Sequence, residues 1–219
     1  MTVVVAPERR AVLERRIKLI VAVTIGYNAV EAVVAIAAGA AASSGALVAF
    51  GLDSTIEVLS AAAVAWQFTR RDPERWERPT LRVIAVAFFL LAAYVVVTSI
   101  TTLLGAAEVG HSPVGLLLTA LSVILMPFLS YAERRAGREL GSATAIADSR
   151  QTLICTYLSA AVLLGLVLNS LFSWWWADAV AGLVIAVFAI REGIEAWRGD
   201  ACATSVGMIL EGEEEHAHG

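Results

Sequence analysis

Six apolar stretches of about 20 residues dominate this chain, each long enough to cross a bilayer core as a helix. They run approximately 17–39, 45–68, 81–104, 114–132, 145–171 and 174–197. A chain whose backbone polar groups enter lipid must pair them internally, so helices or a closed barrel are the available forms. Runs of this length are helical in character, and the predicted fold class is an all-α integral membrane bundle of six spans. Composition agrees: 58% of the 219 residues are hydrophobic and 16% charged, against about 45–50% and 25% in soluble domains. That balance excludes a soluble globular domain and a disordered chain. A formal net charge of −4 argues against nucleic acid as a partner. The two cysteines, Cys155 and Cys202, have no disulfide-framework or CxxC spacing.

The first run is too long for the apolar core of a cleaved signal peptide, and it is read as a true first span. The fourth span holds Pro127, expected to kink it. The fifth is the least sharply bounded, because Ala145–Thr152 carries Asp148 and Arg150. All 16 basic residues lie at or before the start of span one, between span two and the start of span three, between span four and the first turns of span five, or at the end of span six. The loops near 40–44, 105–113 and 172–174 hold none. The positive-inside rule then puts both termini in the cytoplasm, with the plasma membrane of a prokaryote as the expected location. Trp66, Trp76 and Trp197 fall at the inner ends and Trp174–Trp176 at the outer end, as interfacial anchors do. Residues 1–198 are expected to form the membrane domain, and 199–219 a short tail of acids and His216 and His218. Such a tail binds divalent cations weakly or is simply solvated.

Ionisable groups inside the spans carry the functional signal, since each costs roughly 2.5–3.5 kcal/mol at a helix centre. Glu31 lies in span one, Asp53 and Glu57 in span two, Asp178 in span six, and Asp148 at the start of span five. Asp53 and Glu57 are four residues apart, on one face of a helix, with no Lys or Arg nearby in that span. Two such acids repel unless one holds a proton or a cation neutralises both. They make a hard-oxygen site for a dication; the alternative is a hydrogen-bonded structural pair. Depth adds partners. With midpoints near Asn28 and Ile56, and Cys155 at mid-depth of span five, Asn28, Glu31, Asp53, Glu57, Gln151 and Cys155 are expected to converge. Cys155 read alone is as consistent with a small buried hydrophobe as with a ligand. Asp178 reads as a cap on its own helix. Arg191, Glu192 and Glu195 read as a solvated, partly self-paired face. His111 lies in an outer loop.

The segment Ser44-Gly45-Ala46-Leu47-Val48-Ala49-Phe50-Gly51-Leu52-Asp53-Ser54-Thr55-Ile56-Glu57 is similar to helix two of the cation diffusion facilitator family of metal transporters. Ala147-Asp148-Ser149-Arg150-Gln151 is similar to the start of that family's helix five, and Ala177-Asp178-Ala179 to its helix six. The resemblance covers roughly 17–198, the transmembrane domain alone. It implies that Asp53 and Glu57 occupy the helix-two ligand positions, with Gln151 and Cys155 where zinc-transporting members carry His and Asp. Gln is a poor zinc ligand and thiolate a good one, so Glu31 or Asp148 stands as an alternative to Gln151. The resemblance further implies export of a divalent metal in exchange for protons. Zn²⁺ is favoured, with Fe²⁺, Mn²⁺, Cd²⁺ and Co²⁺ as alternatives. A homodimer held by membrane helices and contact of the arginine rim with anionic lipid are also expected; no obligatory protein partner is evident. Two other functions stay open: a proton-coupled exporter of an organic cation, and a non-transporting metal-responsive membrane protein. An enzyme is not expected, because no nucleophile–base constellation exists and the three histidines lie outside the spans.

Overall fold

Helix ends in this protein follow local backbone chemistry rather than hydropathy. A computed structural model describes residues 7–68, 73–105, 109–140 and 143–198. Side chains at 7, 8, 10, 14, 63–68, 73–77, 140, 143–148, 150 and 151 lie outside the described residues. There are six described helices: α1 (Pro7–Ala42), α2 (Gly45–Phe68), α3 (Pro73–Leu103), α4 (Pro113–Leu140), α5 (Ala143–Phe172) and α6 (Trp176–Arg198). Three of them open on proline, whose fixed φ suits a first helical position where no N–H bond is needed. Ser44 and Ser112 cap α2 and α4, their hydroxyls accepting the Leu47 and Gly115 amides at 3.1 Å each. The α1–α2 turn is two residues long. Ser43 takes a left-handed φ of 54°, and Ser44 N–H bonds Gly39 C=O at 2.9 Å while Ser43 N–H bonds Ala40 C=O at 3.3 Å. This pair of bonds closes a helix in the Schellman manner. Ser173 (φ 55°) ends α5 similarly, its N–H on Asn169 C=O at 3.0 Å.

The six helices form a closed ring in the order α1, α2, α3, α6, α5, α4, with α2 also reaching across to α6 and α5. Two compartments result: α1, α2, α4 and α5 on one side, and the α3–α6 pair on the other. Small residues set the close approaches, as they do between helices in lipid. A Cβ on Gly51 of α2 would lie 2.9 Å from the Ile36 backbone N of α1, and one on Gly39 of α1 would lie 2.6 Å from the Val48 backbone N of α2. Gly165 faces the Ala177 carbonyl across the α5–α6 contact. Outward faces carry large apolar side chains, among them Val33, Leu90, Leu117, Phe128, Leu164 and Val187. The interior holds apolar residues together with Asn28, Glu31, Asp53, Ser54, Thr119, Ser122, Ser159 and Asn169. Apolar outside with polar groups inside is the arrangement a bilayer demands.

Five helices are long and apolar enough to span a membrane; α6 is not among them. Asp178 near its start and Arg191, Glu192 and Glu195 near its end leave Ala179–Ile190 free of charge, about 18 Å of helix. It is nonetheless packed into the ring against α3, α5 and α2. Other helices overrun their expected spans. α1 begins at Pro7 rather than near 17, α3 at Pro73 rather than 81, and α4 continues to Leu140 rather than 132. Hydropathy reports where lipid ends, and a helix continues into water as long as its backbone bonds do. α4 also runs unbroken through Pro127. At the arginine-bearing end, α1 and α4 are joined by Leu13, Ile17, Val21 and Ala136, and by Arg9 Nε donating to Glu139 Oε1 at 2.7 Å.

Asp178 serves a neighbouring helix. It is buried, accepts the Ser44 hydroxyl, and takes the Ala46 amide at 3.3 Å. A carboxylate in the first turn of α6 thus caps the start of α2, where the sequence alone suggested a cap on α6.

Candidate metal site

α2 is anchored at its start by Ser44 and Asp178, and it presents Asp53 and Glu57 on one face, about 6 Å apart along its axis. Asp53 is buried, 7% exposed. Glu57 is half-buried and joins three helices. Asn28 Nδ2 of α1 donates to its Oε2 at 2.7 Å. Cys155 Sγ of α5 lies 2.7 Å from its Oε1. Cys155 is itself buried, and Ser159 one turn on bonds its carbonyl at 2.7 Å. No hydrogen bond reaches Asp53 from the described residues. Among the described residues, the ionisable groups that act on it are Glu57, Glu192 and Glu31, all acids. The same interior field, from Glu57, Asp53 and Glu31, acts on Cys155.

Glu31 is held in a different set of contacts. It is 2% exposed, and its two oxygens accept the hydroxyls of Ser54, at 2.8 Å, and Ser122. Tyr27 OH lies 2.6 Å from Ser122 Oγ. The result is a hydroxyl-lined carboxylate between α1, α2 and α4. Depth reasoning pointed at α1, α2 and α5 and missed α4. The missed signal is the stripe Thr119, Ser122, Met126, Ser130 and Glu133, spaced three or four apart and buried throughout.

Of the expected cluster, the structure brings Asn28, Glu57 and Cys155 into contact, with Asp53 one turn away. Glu31 is bonded to hydroxyls instead of to these groups. Asp148 and Gln151 lie on the α5 backbone, and their side chains fall outside the described residues, as does the whole of the 199–219 tail with Cys202, His216 and His218. Among the described residues, no three His, Cys, Asp or Glu side chains come together in a ready-made metal cage. The arrangement is an open one: two acids on α2 with an amide from α1 and a thiol from α5 beside the second. At the arginine-bearing end of α6, Arg191 Nε bonds Glu195 Oε1 at 3.0 Å, the self-pairing expected there, while Glu192 turns partly inward.

Comparison with known proteins gives this geometry a context. The family model described as the cation efflux transmembrane domain matches residues 19–198. The chain belongs to the cation efflux family. Its helices form that family's transmembrane domain, and it is a multi-pass integral membrane protein. A similar curated protein is the cation-efflux pump FieF of Shewanella oneidensis, 30% identical over 93 residues. That alignment covers 42% of this chain and 31% of the relative's length.

Proposed function

We propose that this cation efflux family member exports a divalent metal ion from the cytoplasm in exchange for protons. Zn²⁺ is the favoured cargo, with Fe²⁺, Mn²⁺, Cd²⁺ and Co²⁺ next. The observation that carries the reading is Asp53: a buried carboxylate, one turn from Glu57, surrounded by other acids and taking no hydrogen bond from the described residues. Such a group is stable in lipid as a protonated acid or as the ligand of a cation. Both states belong to the cycle. A metal binds the deprotonated acids, so metal and protons compete for the same oxygens. When one site opens to each side of the membrane in turn, that competition couples the two flows.

Asp53 and Glu57 would supply two carboxylates, which balance the charge of a dication. Cys155 would add a thiolate, and this favours Zn²⁺ and Cd²⁺ over Mg²⁺ or Ca²⁺. Gln151 and Asp148, on the same helix as Cys155, remain proposed additions to the set. Glu31 fits a supporting place, since both its oxygens already hold hydroxyls.

Reconstitution in liposomes tests this. Zn²⁺ flux with proton counterflow is expected from the native protein, and loss of flux from folded Asp53→Ala and Glu57→Ala. Retained flux in both variants would remove the proposal. Metal binding without flux would point to a metal-responsive membrane protein, and no saturable metal binding to an organic cargo.

A further inference from the structure

The Asn28 amide is fixed in orientation by its neighbour. Its Nδ2 donates to Glu57 Oε2, and Glu57 in the ionised form that binds metal only accepts. Turning the amide over would set oxygen against oxygen. Oδ1 therefore occupies the other arm of the amide. It is buried, in a residue 5% exposed, and meets no donor among the described residues. Buried carbonyl oxygens are almost always satisfied in native proteins, and leaving one unmet is costly. Depth matters too: Asn28 is near the middle of the first span.

What would satisfy Oδ1 must be electropositive, and the neighbourhood says what kind of group. Glu57 lies on the same amide, Cys155 on the other oxygen of Glu57, and Asp53 one turn along α2. Two acids, a thiol and an unmet amide oxygen make a donor set for a metal cation. We propose that Asn28 Oδ1 is an oxygen ligand of the transported dication, so that α1 joins α2 and α5 in holding it. This inference rests on the metal-export reading above.

Two consequences follow from the chemistry of the amide. It is neutral, so it adds coordination without adding negative charge to the two carboxylates and the thiol group. It is also a hard oxygen donor. Beside Asp53, Glu57 and Cys155 it gives three oxygens and one sulfur, so it should help oxygen-preferring ions such as Mn²⁺ more than thiophilic Cd²⁺. A residue that merely orients Glu57 would treat all ions alike.

Equilibrium titration of the detergent-solubilised full chain with Mn²⁺, Zn²⁺ and Cd²⁺ separates these roles. Asn28→Ala is expected to weaken Mn²⁺ binding by about tenfold or more, within the range typical of metal-site changes, and Cd²⁺ binding by clearly less. Asn28→Asp keeps an acceptor oxygen while losing the donor to Glu57, and it should retain Mn²⁺ binding. Equal weakening of all three ions in Asn28→Ala, or Asn28→Asp as weak as Asn28→Ala, would overturn the inference and leave Asn28 as an orienting donor. Glu57→Gln, run in parallel, isolates the parent reading. Native binding that Glu57→Gln abolishes upholds the metal site on which the parent reading rests, whatever Asn28 does. A native protein that binds none of the three ions defeats both.

Discussion

At the scale of single residues, burial is the informative quantity. Cys155 shows why. Its sequence position permits a small packing residue or a ligand, and its contact with Glu57 Oε1 supports the second. Cys155→Ser exchanges sulfur for a harder oxygen at little change in volume. Zn²⁺ and Cd²⁺ affinity should fall about tenfold or more while Mn²⁺ changes little, as measured by competition with a chromophoric chelator. Equal affinities for all ions would return Cys155 to packing. Glu31 gives the opposite expectation. Hydrogen bonds to a charged group contribute about 1.5–3 kcal/mol, and Glu31 holds hydroxyls from α2 and α4. Ser122→Ala should therefore lower the unfolding temperature in detergent while metal affinity stays near native. A loss of affinity as large as that of Glu57→Gln would place the Glu31 group in the ion's own coordination sphere.

At the scale of helices, the site depends on how closely α1 lies against α2. Gly51 makes that approach possible: a Cβ there meets Ile36 N at 2.9 Å and the Ala32 carbonyl at 3.0 Å, both backbone atoms. Gly51→Val should cost about 1–3 kcal/mol by overpacking, and also weaken metal binding, because it separates Asn28 from Glu57. Gly26, with nothing within 4 Å of a new Cβ, is the control. Gly26→Ala should be neutral or stabilise by up to about 1 kcal/mol, through helix propensity alone. Thermal unfolding and titration of the two variants check the contrast; matched behaviour would contradict it. Asp178 extends the same logic to the far end of α2. Asp178→Ala removes an acceptor from Ser44 and Ala46, and a cap of this kind is worth about 0.5–2 kcal/mol. This tie was hidden in the sequence, because it joins residues 134 apart. Spans, by contrast, were legible. Hydropathy alone locates all six helices, since lipid contact imposes an apolar run on each. It misplaces the ends of α1, α3 and α4, whose charged turns extend past the lipid, and it overstates α6, whose uncharged stretch is short.

At the scale of the whole molecule, the six helices divide the labour between two compartments. α1, α2, α4 and α5 enclose Glu31, Asp53 and Glu57, while α3 and α6 pair beside them, and α2 belongs to both through its contacts with α3 and α6. The helix-two pair Asp53 and Glu57 was readable as two acids at helical spacing. The polar collar around Glu31 was not, because it draws Ser122 from α4, whose small polar stripe is faint beside its apolar residues. The proposed proton coupling would be a property of the assembled bundle. Acids that bind metal must first lose their protons, so metal affinity should rise as pH is raised, and binding should release protons. Calorimetry in buffers of differing protonation enthalpy counts them. Zero release at a pH where binding is half-weakened would contradict exchange. The most direct measurement is anomalous scattering from crystals soaked in Zn²⁺. The account expects a peak at about 2.0–2.2 Å from carboxylate oxygens of Asp53 and Glu57. A protein that takes up the ion elsewhere, with both of these acids left bonded to protein groups, would contradict it.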